Sequence, residues 1–299
     1  MNVKTNIICA GLIGWDTIAR TQFKMGNGAD LPGFIETNLG GVIANIAVAL
    51  KNNAQDKIDL EVTLLSAVGN DQRSKQLLSI LSKQNYINCD YIIEEQGSTD
   101  GYIAIESKGE LFGAISSSFQ LEKSCTKIFE PFKKNFLRID TAPNKNFIII
   151  DSNLTSKTIN YLAEDSFFDS IEIVIACASP FKAKKIRPLL MKRNCTIYAN
   201  LEESSEILGK EMVCSSEAAE SLFDLGAKQA IVTNGKNKVS SKSINCLATH
   251  TPKPTLTTKI TGAGDTFLAT HFLSKLINTH LSEQDHLKIA NAEAYIKIT

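Results

Sequence analysis

Short apolar runs rich in β-branched residues recur along the chain, and segments with helical spacing lie between them. "NIICAG", "VTLLSAVG", "NFIIID", "IEIVIACAS", "CTIYAN" and "QAIVTNG" are almost continuously apolar. Runs of this kind belong to strands buried on both faces, as in a parallel sheet covered by helices. Helices are expected at Val42 to Leu50, Gln72 to Lys83, Ser156 to Ala163, Lys182 to Met191 and Glu217 to Leu225. Strand and helix alternate, so the class is α/β.

Two segments break that rhythm. "GFIETNLGG" and "DGYIAIESKGELFGAISSS" read as strands with turn signals, and Ile103, Ile105, Leu111 and Ile115 alternate with polar neighbours over parts of the second. They predict a small antiparallel sheet beside the main one. The apolar run from Ile7 to Trp15 is read as a first strand and turn, because it lacks a cleavage region and ends at Asp16. Leu39 to Leu50 is too short to span a bilayer and contains Asn45.

Composition narrows the function classes. The chain has 299 residues, with 32 lysines and arginines against 32 acidic residues. No basic field advertises a nucleic-acid polymer or a membrane, so a small substrate fits better. Seven cysteines are scattered without a CxxC pair or metal-ligand spacing, which points to a reducing cytoplasm. One main domain is expected at this length.

Chemistry concentrates in "TTKITGAGDTFLATHF", Thr257 to Phe272. A helix N-terminus presents unpaired N–H groups and partial positive charge, and glycines let that backbone approach an anion closely. Gly262, Ala263 and Gly264 therefore read as an anion cradle opening a helix whose buried stripe is Leu268, Phe272 and Leu276. Asp265 has two readings. It caps the helix, or it acts as a base on a hydroxyl that attacks a phosphoryl group held in the cradle.

"TGAGDTF" resembles the C-terminal signature of the ribokinase-like (phosphofructokinase-B) family of sugar and nucleoside kinases. "NLGGVIANIAVAL" is similar to the family's N-terminal signature, with Gly40, Gly41 and Asn45 at the matching positions. The resemblance covers nearly the whole chain. It implies a three-layer α/β/α sandwich, with a mostly parallel central sheet and a small antiparallel β lid. It further implies a single kinase domain over residues 1–299, whose lid comes from segments near 12–39 and 91–118.

Residue roles follow from the same resemblance. Asp265 would be the base, with Gly262, Ala263 and Gly264 as the anion cradle; Asp16 would grip sugar hydroxyls beside Gly40, Gly41 and Asn45. Asn200 and Glu203 in "ANLEE" match the Asn-x-x-Glu motif that helps place Mg²⁺ and the ATP phosphates through water. Thr233 and Gly235 match a nucleotide-edge turn, and Asn291 falls where the last helix faces the adenine. "ASPFKAKKIRPLL" followed by "ANLEE" is similar to pseudouridine kinases, which implies phosphorylation of the 5′-hydroxyl of pseudouridine. Lids of this family also pair between subunits, so a homodimer through the lid is expected.

The chain departs from the family in places. Lys259, Ile260 and Thr261 stand where relatives commonly carry Asp-Thr-Thr, the aspartate of which helps hold a monovalent cation. The Lys259 ammonium is expected to replace that cation, giving a kinase indifferent to potassium. Ser117, Ser118 and Phe119 replace an acidic residue and methionine near the lid of pseudouridine kinases. Other readings thus stay open: a kinase of ribose, a ketose or another nucleoside, or a non-catalytic sensor on the same fold. At "DSNL", Asp151 and Asn153 are read as capping the next helix.

Overall fold

The computed structural model describes residues 4–54, 57–134, 137, 145–192, 195–253 and 262–298. In the first half of the chain the strands are β1 (Thr5–Ala10), β2 (Gly14–Thr21), β3 (Phe34–Gly40), β4 (Leu60–Leu65), β5 (Ala67–Gly69), β6 (Ile93–Glu95), β7 (Gly101–Ser107) and β8 (Glu110–Ser116). The second half adds β9 (Lys145–Asp151), β10 (Glu172–Ala176), β11 (Thr196–Asn200), β12 (Gln229–Thr233), β13 (Val239–Ser243) and β14 (Cys246–His250). The helices are α1 (Val42–Ala54), α2 (Gln72–Ser79), α3 (Phe119–Ser124), α4 (Glu130–Lys133), α5 (Ser156–Glu164) and α6 (Pro180–Ala183). They continue with α7 (Arg187–Lys192), α8 (Leu201–Leu208), α9 (Ser215–Asp224), α10 (Ala263–Ile277) and α11 (Glu283–Ile298).

Each apolar run singled out above forms a strand of one eight-stranded sheet, ordered β14-β13-β12-β11-β10-β9-β1-β4. Its members from β12 to β4 are parallel, and the β13–β14 hairpin closes one edge antiparallel. Successive side chains enter opposite layers, as the period of two requires. Ile148 and Ile150 join one core with α5, α7 and α9, whereas Ile149 joins another with α1 and α10. The fold is therefore α/β with helices on both faces, as expected. The predicted stripe of α10 holds too, with Leu268 and Phe272 buried and Leu276 packed against the same core.

Two expected helices differ in detail. Gln72 to Lys83 is α-helical only to Ser79 and continues as a wider π turn over Ile80–Gln84. Lys182 to Met191 divides into α6, a 3₁₀ turn at Lys184–Ile186, and α7. Pro188 has no N–H to donate to the preceding turn, so the ladder tightens and restarts there.

The small sheet is four-stranded, in the order β3-β2-β7-β8. Both outer pairs are antiparallel, while β2 and β7 at its centre run parallel. Within β7 it is Ala104 and Glu106 that are buried, and Ile103 points outward with Ile115 of β8. The sheet thus exposes Ile103 and Ile115 on its outer face, while Ile18 and Ala104 are buried in register on the other.

Candidate active site

Parallel α/β sheets collect ligands at the carboxyl ends of their strands. Here that edge brings together the ends of β1, β9, β10, β11 and β12 and the start of α10. Gly262 holds the helix entry in the left-handed region at φ 83° without a side-chain cap. Thr266 N–H donates the first intrahelical bond to Gly262 O at 3.1 Å, so the N–H groups of Ala263, Gly264 and Asp265 precede the ladder. Gly264 is exposed, with no heavy atom in the space a Cβ would enter. An anion has room to approach.

Asp265 does not cap the helix it opens. Its Oδ2 accepts from Asn45 Nδ2 of α1 at 2.9 Å, across 220 residues of sequence. Burial, aided by the charges of Asp16, Asp151 and Glu203, pushes its pKa up to about 7, against the lowering bond from Asn45. Among the described residues no cation pairs with it.

The glycine pair before α1 fits this carboxylate cluster closely. A Cβ on Gly40 would lie 2.0 Å from Asp16 Oδ1, and one on Gly41, whose φ is 88°, would lie 2.4 Å from Leu12 O. Gly41 N–H donates to Asp16, yet burial still pushes that carboxyl up to about 6. Asp16, Gly40, Gly41, Asn45 and Asp265 thus converge on one cleft between the small sheet and the large one.

Asn200 and Glu203 form a reciprocal cap on α8. Asn200 Oδ1 accepts from Glu203 N–H, and Glu203 Oε2 from Asn200 N–H, both at 2.8 Å. Glu203 is buried, and its pKa rises to about 7 through burial. Thr233 ends β12 directly beside Asn200, and Gly235 follows in an exposed turn at φ 52°. Asn291 lies on α11, where its Nδ2 donates back to Leu287 O at 2.9 Å; no described contact joins it to Thr233 or Gly235. Lys259, with Ile260 and Thr261, lies outside the described residues.

The capping reading of Asp151 is corrected by the geometry, since Thr155 caps α5. Asp151 is buried and accepts from Leu12 N–H at 2.9 Å, Asn153 N–H at 2.8 Å and Asn153 Nδ2 at 3.0 Å. It braces the ends of β1 and β9 against each other. Sequence reasoning also passed over Lys182 of α6, whose Nζ donates to Asn153 Oδ1 at 2.6 Å and to Ser116 Oγ of β8 at 3.3 Å. A lysine in a Lys-rich helix start gives no local sign of such contacts.

Comparison with known proteins agrees with this architecture. A carbohydrate kinase from Agrobacterium tumefaciens superposes with a TM-score of 0.74 at 20% identity, covering 98% of this chain and 90% of its own. Ribokinase from Thermotoga maritima gives 0.76 at 16%, covering 99% and 93%. Phosphofructokinase-2 from Escherichia coli, in complex with substrates and products, gives 0.75 at 16%, covering 98% and 92%. These likenesses define the fold as that of the ribokinase-like kinases. The profile of the pfkB family carbohydrate kinases matches residues 4–299, and the chain belongs to that family. It is accordingly a phosphotransferase with an alcohol group as acceptor. Comparison with curated proteins finds no match. Among the described residues no helix is long and apolar enough to cross a membrane.

Proposed function

We propose that the protein transfers the γ-phosphoryl group of ATP to the 5′-hydroxyl of pseudouridine. The observation that carries the reading is Asp265, a carboxylate at a helix entry that it does not cap, tied to Asn45 and lifted to about 7. A base with a pKa near working pH is suited to proton transfer. Asp265 takes the hydroxyl proton as the oxygen forms its bond to phosphorus and the bond to ADP breaks. The N–H groups of Gly262, Ala263 and Gly264 stabilise the charge on the phosphoryl oxygens. Asp16 orients the sugar hydroxyls from β2.

Kinases of this family use ATP and Mg²⁺. The Asn-x-x-Glu motif implies an ion placed through water, and Asn200 and Glu203 stand together at the entry of α8. Glu203, buried with one carboxylate oxygen committed to Asn200 N–H, is the residue suited to hold that water. The ion, when bound, neutralises phosphate charge. Thr233, Gly235 and Asn291 are proposed to line the nucleotide. Lys259 is proposed to replace the monovalent cation; activity should then be flat in a potassium titration, and strong stimulation would sink that idea.

The nucleoside rests on the similarity of "ASPFKAKKIRPLL" to pseudouridine kinases, while the likeness to ribokinase favours ribose as the second reading. In the proposed single domain of 1–299, the four-stranded sheet closes over the sugar and excludes water. Ile35, Ile103 and Ile115, exposed by 70%, 56% and 77% on its outer face, support pairing of two lids in a homodimer. Cytoplasmic residence accords with seven free cysteines. ATP consumption against pseudouridine, uridine, other nucleosides, ribose and fructose tests the substrate. Turnover on pseudouridine alone, lost in Asp265→Asn, supports the reading, and turnover on a sugar alone overturns it.

A further inference from the structure

The small sheet presents one row of residues toward the cleft. In register across it lie Asn38, Asp16, Tyr102 and Ser116, and neighbours in register share a face. Asp16, next to the edge residue Asn38, lies near Asp265. Ser116 stands on the opposite edge strand, where Lys182 reaches it from α6. From Asp16 to Ser116 the row thus crosses β2, β7 and β8, away from the reacting carboxylate.

Lys182 is out of keeping with a simple strut. An ammonium has three donors, and its two described acceptors, Asn153 Oδ1 and Ser116 Oγ, are both neutral. Among the described residues no carboxylate pairs with it, although Asp151, Glu122 and Asp100 lie within electrostatic reach. Lys185, one turn on, is half-buried on the same side and adds positive field. A half-buried ammonium bonded to two neutral oxygens, with its carboxylate neighbours beyond bonding distance, keeps one donor for a further partner. A ligand oxygen would complete it.

We infer that Lys182 recognises the acceptor substrate, donating a charge-assisted hydrogen bond to a carbonyl oxygen of the nucleobase at the end remote from the phosphorylated hydroxyl. The inference rests on the nucleoside reading given above. It makes the α6 lysine the group that separates nucleosides from plain pentoses, which end short of it. The contact with Ser116 couples that recognition to the position of the small sheet, so an occupied far end also draws β8 toward α6.

Steady-state kinetics on pseudouridine, uridine and ribose, with wild type, Lys182→Met, Lys182→Arg and Ser116→Ala, test it. Lys182→Met should lower kcat/KM for the nucleosides about 30-fold, mainly through KM, as loss of one charge-assisted bond does. Its effect on ribose should be at least tenfold smaller, and Lys182→Arg should recover part of the nucleoside loss. Ser116→Ala, which leaves the ammonium in place, should lose far less than Lys182→Met. Equal losses on nucleosides and ribose, or a Ser116→Ala defect as deep as that of Lys182→Met, would reduce Lys182 to a strut and overturn the inference. Nucleoside turnover untouched by Lys182→Met would overturn it while leaving the nucleoside kinase standing. A wild-type enzyme that phosphorylates ribose and no nucleoside would overturn both together.

Discussion

The start and the middle of α10 hold polar clusters of opposite character. At its start, Asp265 shares a cleft with Asp16 and has Glu203 within electrostatic reach; burial pushes all three carboxyls up, to about 7, 6 and 7. Two turns further on, His271 Nδ1 lies 2.8 Å from Tyr198 Oη, and His271 Nε2 lies 3.0 Å from Glu283 Oε1. Glu283 also accepts from Gln229 Nε2 at 2.6 Å and Ser241 Oγ at 2.7 Å, with Lys275 Nζ 3.6 Å from its other oxygen. Against burial, His271, the Lys275 charge and Ser241 hold its pKa down at about 2. With Glu283 ionised, His271 donates from Nε2 and accepts the tyrosine proton at Nδ1. One cluster is saturated by donors within the fold and locks α10, α11 and β13 together. The other is short of positive charge, and that shortage is what a phosphate, a metal ion and a substrate hydroxyl would fill.

Breaking each cluster should therefore read out differently. Asp265→Asn should cut kcat by about 10²–10⁴-fold, the range for loss of a general base. It should also leave the protein as stable or more so. Because the folded-state pKa is raised from the ordinary 3.8 to about 7, this group's contribution to stability is lost progressively as pH rises between those values, and the loss is complete above 7. At pH 8 the variant's thermal midpoint should exceed that of wild type by about 1–3 °C; a lower midpoint would contradict the account.

Glu283→Ala should do the reverse. Removing one partner of a buried, bonded charge cluster costs about 3–5 kcal/mol of unfolding free energy, measurable by denaturant titration. Turnover per folded molecule should change little, as the cluster touches no reacting atom. Glu283 titrates low when folded, so its stabilisation is complete above the ordinary value of 4.5 and disappears as pH falls toward 2. The gap between wild type and Glu283→Gln should close over that range. A gap that stays constant would assign the stabilisation to packing.

The two clusters were not equally legible from sequence, and the reason is range. The cradle is local: Gly262, Ala263, Gly264 and Asp265 are consecutive, and a helix entry of that kind shows in a short string. The core strands were legible because burial on both faces leaves a run such as "NFIIID" with no polar alternation to misread. The saturated cluster gathers Tyr198, Gln229, Ser241, His271 and Glu283 from separate elements, and none has a meaningful near neighbour. For the same reason β13 escaped notice. Its Ser240 and Ser241 look like a polar loop, yet they are buried because Ser215, Ser216, Gln229 and Glu283 share their hydrogen bonds. β2 was hidden by its mixed sequence, "GWDTIART", which pairs as the centre of the small sheet without a clean period.

Asn45 sharpens the comparison by the smallest change. Among the described residues it supplies the one hydrogen bond that lowers the Asp265 pKa; burial, Asp16, Asp151 and Glu203 all act upward. In Asn45→Ala the upward influences stand alone, so the base should titrate above 7 and its ionised fraction near neutrality should shrink. The acidic limb of kcat/KM against pH reports the free enzyme's base, and that limb should move toward alkali. The variant's defect should then be deepest near pH 6 and shallowest near pH 9. Asn45→Asp, which replaces the donor by a further carboxylate, should push the limb further in the same direction. A defect of equal depth at every pH would instead assign Asn45 to holding substrate, and Asp265 would owe its raised pKa to burial and its carboxylate neighbours with no tuning from α1.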